Sequence, residues 1–383
     1  MEKIRILFVH HRLLCGGTEQ ALYDLITLLN KDKFDITVFV QNDDGTWNQK
    51  FQNAGIRLIY DYSCRRATWN PLVKAGNICK KMRTAQAYRR DGEGLLEVCW
   101  PQGADIVVSY ATSSYEKMVF LPGAKTVKFI HGNLDTNQMY REEILSNLPL
   151  LHRFDRIVCV SEDARQSFCR HTSITKYVSV HWNPINSRQI RALAQRPIDL
   201  PRGEPIVCAV GRLSYEKGFE RLIVIHRRLL DQGIHHRLVI VGDGIERSYV
   251  EREIIATETQ DTVILAGYQE NPYPYIAASR FLVCSSYTEG LCLTAMEALC
   301  LGVPVVASAP SVKELLGETL CGLITETGNA SLEAGIRKML TDELFYRQVK
   351  QGAQTRSAAF DGQQMVGALE ELFLQLAEEK REG

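Results

Sequence analysis

Short apolar runs rich in β-branched residues and bounded by polar ones recur through the first half of the chain, at 4–9, 34–40, 57–60, 105–109, 126–131 and 156–160. Between them lie longer stretches with helical spacing, such as 18–30, and this alternation predicts a parallel sheet covered by helices on both faces. A second series of such runs follows at 206–210, 237–241, 262–265, 280–284 and 303–307, again separated by helical segments. The stretch between the two series carries Pro184, Pro197, Pro201 and Gly203, the composition of an interdomain connection. The pattern therefore predicts two doubly wound α/β domains, 1–185 and 186–362. In the tail, 363–383, Met365, Leu369, Leu372, Phe373 and Leu376 form one face of a helix that must pack on something.

Length and composition agree with two ordinary domains, since 383 residues exceed what one hydrophobic core usually organises. Apolar content of 45%, charged content of 23% and equal counts of acids and bases describe a globular chain without wholesale disorder. The balanced charge argues against nucleic acid as a partner, because such proteins carry a basic field. Eleven cysteines run from Cys15 to Cys321 with no C-x-x-C pair, so spacing indicates neither a zinc site nor a disulfide framework. Cys159, Cys208 and Cys284 sit inside apolar runs, where a reduced thiol acts as a small core residue. The N-terminus, MEKIRILFVHH, lacks a cleavable signal pattern, and no apolar run reaches bilayer-spanning length. The expected location is the cytosol.

Three segments of the second half fall where a strand gives way to a helix, the edge at which open α/β sheets bind ligands. The first, Gly211-Arg212-Leu213-Ser214-Tyr215-Glu216-Lys217-Gly218, places two cations five residues apart on a loop that can grip a diphosphate; a solvated connecting loop is the competing reading. The second runs from Ser285 through Glu289-Gly290-Leu291-Cys292-Leu293 to Glu297. Its glycine permits close backbone approach, and the free N–H groups that open a helix favour an anion. Glu289 and Glu297, eight residues apart, can accept hydrogen bonds from polyol hydroxyls, against the plainer reading of exposed, helix-capping charges. The third, 302–308, is a buried strand whose end flanks the same edge. Val241-Gly242-Asp243-Gly244 lacks the third glycine of a dinucleotide fingerprint, Arg247 standing there instead, and reads as a turn on the nucleotide side.

In the first half, His131 ends a strand, a position more often held by a hydrogen-bonded structural histidine than by a catalytic one. His10-His11 precedes the glycine pair Gly16-Gly17. Arg65, Arg66, Lys74, Lys80, Lys81, Arg83, Arg89 and Arg90 follow one another without an intervening acid. Such a segment suits an anionic membrane surface or is simply a solvated helix.

Taken together, Gly16-Gly17-Thr18-Glu19, Phe129-Ile130-His131-Gly132-Asn133, Asn183-Pro184, Gly211 to Gly218 and the Glu289–Glu297 pair resemble, in order and spacing, the retaining glycosyltransferases of the large group 1 family, also called family four. The resemblance spans most of the chain and implies the GT-B fold: two facing Rossmann-like domains with a cleft between them. It implies acceptor binding by 1–185, nucleotide-sugar binding by 186–362 and a C-terminal helix, 363–383, that packs back on the first domain. In this family the arginine and lysine hold the donor diphosphate, the first glutamate contacts hydroxyls of the transferred sugar, and the second contacts the ribose. The matching residues here are Arg212, Lys217, Glu289 and Glu297, with His131 beside the sugar. Gly16, Gly17, Gly211 and the backbone of Gly290, Leu291, Cys292 and Leu293 complete the donor cradle, and Tyr268 lies where the base is recognised. Many relatives carry glycine or proline at the position of Cys292, a departure that leaves the sugar open.

No Asp-x-Asp occurs in the chain, so the expectation is metal-independent, cofactor-free transfer with retention, from a UDP-sugar to a hydroxyl of a glycan or lipid-linked glycan. Synthesis of bacterial surface polysaccharide or glycolipid is the family-level context, with the enzyme peripheral at the inner face of the cell membrane. Two other readings stay open: a GT-B-like UDP-sugar epimerase, and a non-catalytic partner subunit that binds nucleotide or glycan.

Overall fold

The computed structural model describes residues 2–61, 71–111 and 116–382, with 71–77 and 382 described by backbone alone. Two compact units emerge: residues 2–184 with the terminal helix, and residues 185–362.

The first unit is built on seven parallel strands: β1 (Ile4–His10), β2 (Phe34–Val40), β3 (Arg57–Tyr60), β4 (Ile106–Ser109), β5 (Lys125–Ile130), β6 (Arg156–Cys159) and β7 (Val178–Val180), ordered β3-β2-β1-β4-β5-β6-β7. Every residue of β4 is buried, as both faces of a parallel sheet require when helices cover them. Strand β1 pairs with β2 from Ile4↔Phe34 to His10↔Val40 and with β4 on its other side. The order reverses between β1 and β4, so the loops leaving these two strands open at a topological switch point. The terminal helix, Gly362–Glu382, lays the apolar face read from its sequence against this unit. The Phe373 ring stands edge-on to Phe8 and Phe34, with centroids 6.3 and 6.2 Å away, while Lys380 bonds Asp105 at 2.7 Å.

The second unit has six parallel strands: β8 (Ile206–Val210), β9 (Arg237–Val241), β10 (Val263–Gly267), β11 (Phe281–Cys284), β12 (Val305–Ala307) and β13 (Gly322–Ile324), ordered β10-β9-β8-β11-β12-β13. Its switch point lies between β8 and β11, the strands that lead into the Arg212–Lys217 loop and the Glu289 loop. One core face of this sheet receives the helix Phe219–Asp231 through Phe219, Leu222, Ile223, Ile225 and Leu229. The short strands β7 and β13 were not among the runs read from the sequence. Each has three residues and only one strand neighbour, so neither needs a long apolar run to keep its place.

Candidate active site

Three loops of the second unit are laced together by their backbones at the carboxyl ends of β8, β9 and β10. Gly211 N–H donates to Val241 O at 3.0 Å, Leu213 N–H to Asp243 O at 3.0 Å, and Gly242 N–H to Gly267 O at 2.8 Å. This closeness explains the glycines of the Val241-Gly242-Asp243-Gly244 turn. A Cβ on Gly242, whose φ is +147°, would stand 1.8 Å from Gly211 O, and one on Gly244 would stand 2.3 Å from Leu213 O. Here the turn braces the Arg212 loop.

On the far side the same loop is zipped to the one leaving β11. Tyr287 N–H donates to Glu216 O at 2.8 Å, and Ser285 Oγ donates to Lys217 O at 2.8 Å. Gly218, at φ +61°, turns the chain into the helix where a side chain would collide with Ser285 O. Lys217 is thereby aimed across the switch point, and its Nζ lies 2.6 Å from Glu289 Oε1. Ser286 Oγ donates to the same oxygen at 2.6 Å. Burial disfavours the Lys217 ammonium, but the Glu289 carboxylate and the thiols nearby outweigh it and raise its pKa above the lysine norm. The lysine is therefore charged at neutral pH. Arg212 is exposed on the same loop, and among the described residues no carboxylate pairs with its guanidinium.

Two cysteines lie beneath the pair. Cys284 ends β11, Cys292 precedes the helix Leu293–Cys300, and their sulfurs are 3.4 Å apart. The hydrogen bond from Cys292 lowers the Cys284 pKa against the effect of burial, and the donor, Cys292, is correspondingly raised. Glu297, on that helix, is buried and accepts a 3.4 Å hydrogen bond from Tyr273 Oη. Leu291 is buried, Gly290 and Leu293 are half-buried, and Tyr268 is exposed beyond β10. Gly211, Lys217, Glu289, Gly290, Cys292 and Glu297 thus all fall at one edge of one sheet.

A residue that the sequence reading passed over organises this edge. Arg221, only 3% exposed, donates from Nε to Ser285 O at 2.9 Å and from its terminal nitrogens to Thr327 O at 2.7 Å and Ser308 Oγ at 2.6 Å. Its guanidinium also lies 4.2 Å from the centre of the Tyr287 ring. One planar fork ties the ends of β11, β12 and β13 together. The apolar helix around it gave a signal, since a lone arginine among Phe219, Leu222 and Ile223 must find acceptors when buried.

In the first unit, His131 Nε2 lies 2.7 Å from Tyr110 O, so the neutral ring carries its proton on Nε2. Burial lowers its pKa to about 4. His10 is buried beside it, also with Tyr110, and burial with the adjacent His131 and His11 lowers its pKa to about 3. Its Nε2 is 3.8 Å from Glu19 Oε1. Gly16 caps the helix Gly17–Leu28 in extended conformation, a backbone any residue adopts. Of the basic segment, Arg65 and Arg66 lie outside the described residues, as does the Lys74 side chain. Lys80, Lys81, Arg83, Arg89 and Arg90 are exposed, with Ile78 and Met82 exposed among them. Among the described residues no helix is long and apolar enough to cross a membrane.

Residues 191–356 match the family model described as glycosyl transferases group 1. The chain is 26% identical over 374 residues to the N-acetylgalactosamine-N,N'-diacetylbacillosaminyl-diphospho-undecaprenol 4-alpha-N-acetylgalactosaminyltransferase of Campylobacter jejuni, covering 94% of this chain and 96% of that one. Over 197 residues it is 28% identical to the lipopolysaccharide core biosynthesis glycosyltransferase LpsE of Rhizobium meliloti, half of this chain and 55% of that one. Among solved structures it superposes on Anabaena HepE in complex with UDP and glucose with a TM-score of 0.76 and 19% identity, covering 96% of this chain and 99% of that one. The sucrose-phosphate synthase of Thermosynechococcus elongatus gives a TM-score of 0.76 at 17% identity, with 98% and 99% covered. The family match over most of the second unit, the relatives and the fold agree: residues 191–356 are a group 1 glycosyltransferase segment, and the chain has the GT-B fold.

Proposed function

We propose that this glycosyltransferase moves a sugar, with retention and without a metal, from a UDP-sugar to a hydroxyl of a lipid-linked glycan in bacterial surface glycan synthesis. The observation that carries the reading is the Lys217–Glu289 pair at the β8/β11 switch point, with Arg212 exposed on the same loop. The HepE neighbour is solved with UDP and with UDP-glucose, and the Campylobacter relative is named for a diphospho-undecaprenol substrate. Both support this choice of donor and acceptor.

In the reaction, the bond from the anomeric carbon to the donor's phosphate oxygen breaks while the acceptor oxygen bonds that carbon from the same face. The acceptor proton passes to a phosphate oxygen. Arg212 and Lys217 supply fixed positive charge to the leaving diphosphate, and oriented donors of this kind contribute roughly 3 kcal/mol each to the transition state. Glu289 accepts from the sugar hydroxyls and Glu297 from the ribose. The peptide groups of Gly211 and Gly290–Leu293 cradle the phosphates and sugar, and Tyr268 meets the base. His131, neutral and with Nε2–H already committed to Tyr110 O, has Nδ1 as its acceptor for a sugar hydroxyl. The first unit binds the acceptor, and its exposed cations at 80–90 meet an anionic membrane face at the cytoplasmic side.

A panel of UDP-, GDP- and ADP-sugars in a thermal-shift assay tests the donor, since a ligand at 100 times its Kd stabilises by about 2.7 kcal/mol. With the donor found, Arg212→Ala and Lys217→Ala should each lower kcat by about 10²-fold or more, in chelator as in buffer. The product's anomeric configuration, read by NMR, tests retention. Near-normal turnover in either variant contradicts the assignment.

A further inference from the structure

Cys284 and Cys292 bring to Glu289 a pair of thiols that the donor chemistry leaves unexplained. One potential ligand atom from each lies within 4.8 Å of the others. The sulfurs are 3.4 Å apart, and Cys284 Sγ is 4.0 Å from Glu289 Oε1. Two thiolates on one tetrahedral zinc, each bonded at about 2.3 Å, stand roughly 3.8 Å apart. The two sulfurs need only a few tenths of an ångström of adjustment to reach that separation. Eight residues separate the cysteines in the chain, outside any metal-ligand spacing, and the strand–loop–helix path from β11 into Leu293–Cys300 folds them together.

From this geometry we infer a binding site for a soft divalent cation of the zinc class, with Cys284 Sγ, Cys292 Sγ and a Glu289 carboxylate oxygen as ligands and a fourth position open. Thiolates select such an ion over magnesium or calcium. The charges balance: two thiolates and one carboxylate face a divalent ion and the ammonium of Lys217, so the occupied cluster is neutral. Binding releases the two thiol protons. The Lys217 side chain paired with Glu289 is 27% exposed. The ion takes the carboxylate oxygen that now pairs with Lys217, so it competes with the donor sugar for Glu289. This regulatory consequence rests on the donor reading proposed above; the metal site does not.

Equilibrium dialysis of the full chain against zinc, with a phosphine reductant and a chromophoric chelator as competitor, reads the site directly. Cobalt in place of zinc reports thiolate coordination through its visible absorption. One zinc per chain is expected. Affinity should fall by about 100-fold or more in Cys284→Ser with Cys292→Ser and stay unchanged in Cys15→Ser with Cys79→Ser, two exposed cysteines. Circular dichroism verifies that the variants are folded, and single Cys284→Ser serves if the double variant is not. Zinc retained equally by folded variants lacking Cys284, or none bound by the reduced wild type, overturns the site. Zinc should also weaken binding of the intact UDP-sugar by about tenfold or more in the wild type and not in Cys284→Ser. A chain that binds zinc but never UDP refutes the donor reading and leaves the metal site standing.

Discussion

Lys217 Nζ lies 2.6 Å from Glu289 Oε1, joining the loop after β8 to the loop after β11 by a charge-assisted hydrogen bond across the sheet's switch point. The partners are 72 residues apart in sequence, and both are largely withdrawn from water. Removing one leaves the other charge under-compensated. Lys217→Ala and Glu289→Ala should therefore each destabilise the second unit by about 2 kcal/mol. The double variant should cost less than their sum, which urea unfolding of all four proteins measures. Strict additivity would mean that the pair is not coupled.

Arg221 makes a harsher prediction. Its fork satisfies the carbonyls of Ser285 and Thr327 and the hydroxyl of Ser308, so Arg221→Ala strands several buried acceptors and should cost about 3 kcal/mol or more. Arg221→Lys should recover little, because an ammonium cannot reach the three loop ends at once. Full recovery of the urea midpoint by lysine would refute the fork's role.

Much of the architecture was legible in the chain because parallel strands buried on both faces are written as continuous β-branched runs, as 34–40 and 237–241 show. The three-residue strands β7 and β13 carry too little pattern to be read. The glycine-flanked loop bearing Arg212 and Lys217 was visible as a strand-to-helix junction, yet nothing in the sequence says that Lys217 turns toward Glu289. That depends on Gly218 and on backbone bonds to a loop about 70 residues away. The Cys284–Cys292 contact was hidden for the same reason, and the charge of Arg221 among Phe219, Leu222 and Ile223 signals a need for acceptors without saying which loops supply them.

His226 and His236 predict how the second unit responds to acid. His236 donates from Nδ1 to Ile234 O at 2.9 Å, and its Nε2 lies 2.8 Å from His226 Nδ1. His226 Nε2 in turn lies 2.9 Å from Thr262 Oγ1. One proton in each gap satisfies the whole chain with both rings neutral, and a further proton on His236 Nε2 sets two N–H groups face to face. Burial, and for His226 the adjacent His236, lowers both pKa values, that of His226 to about 3. The unfolded chain, with histidine near 6.5, binds these protons first. Stability is therefore full above about pH 6.5 and declines as pH falls from there toward 3. Thermal unfolding at several pH values checks this, and His226→Leu should flatten the decline. A stability flat from pH 7.5 to 4.5 contradicts it.

Lys128 and Glu116 form an ion pair inside the first unit at 3.0 Å, both essentially without solvent exposure, with Ser109 Oγ donating to the carboxylate at 2.6 Å. Lys128→Met alone should cost about 3–5 kcal/mol by leaving the carboxylate unpaired. Adding Glu116→Leu should restore most of that stability. A double variant as unstable as the single one would show that the charges themselves are needed.

Donor binding turns on Arg212 and Lys217 meeting the diphosphate, and calorimetric titration of UDP against uridine isolates that contact. Arg212→Ala and Lys217→Ala should each weaken UDP binding roughly 10- to 100-fold while uridine binds as it does to the wild type. Unchanged UDP affinity in both variants, or an equal loss for uridine, would contradict the claim.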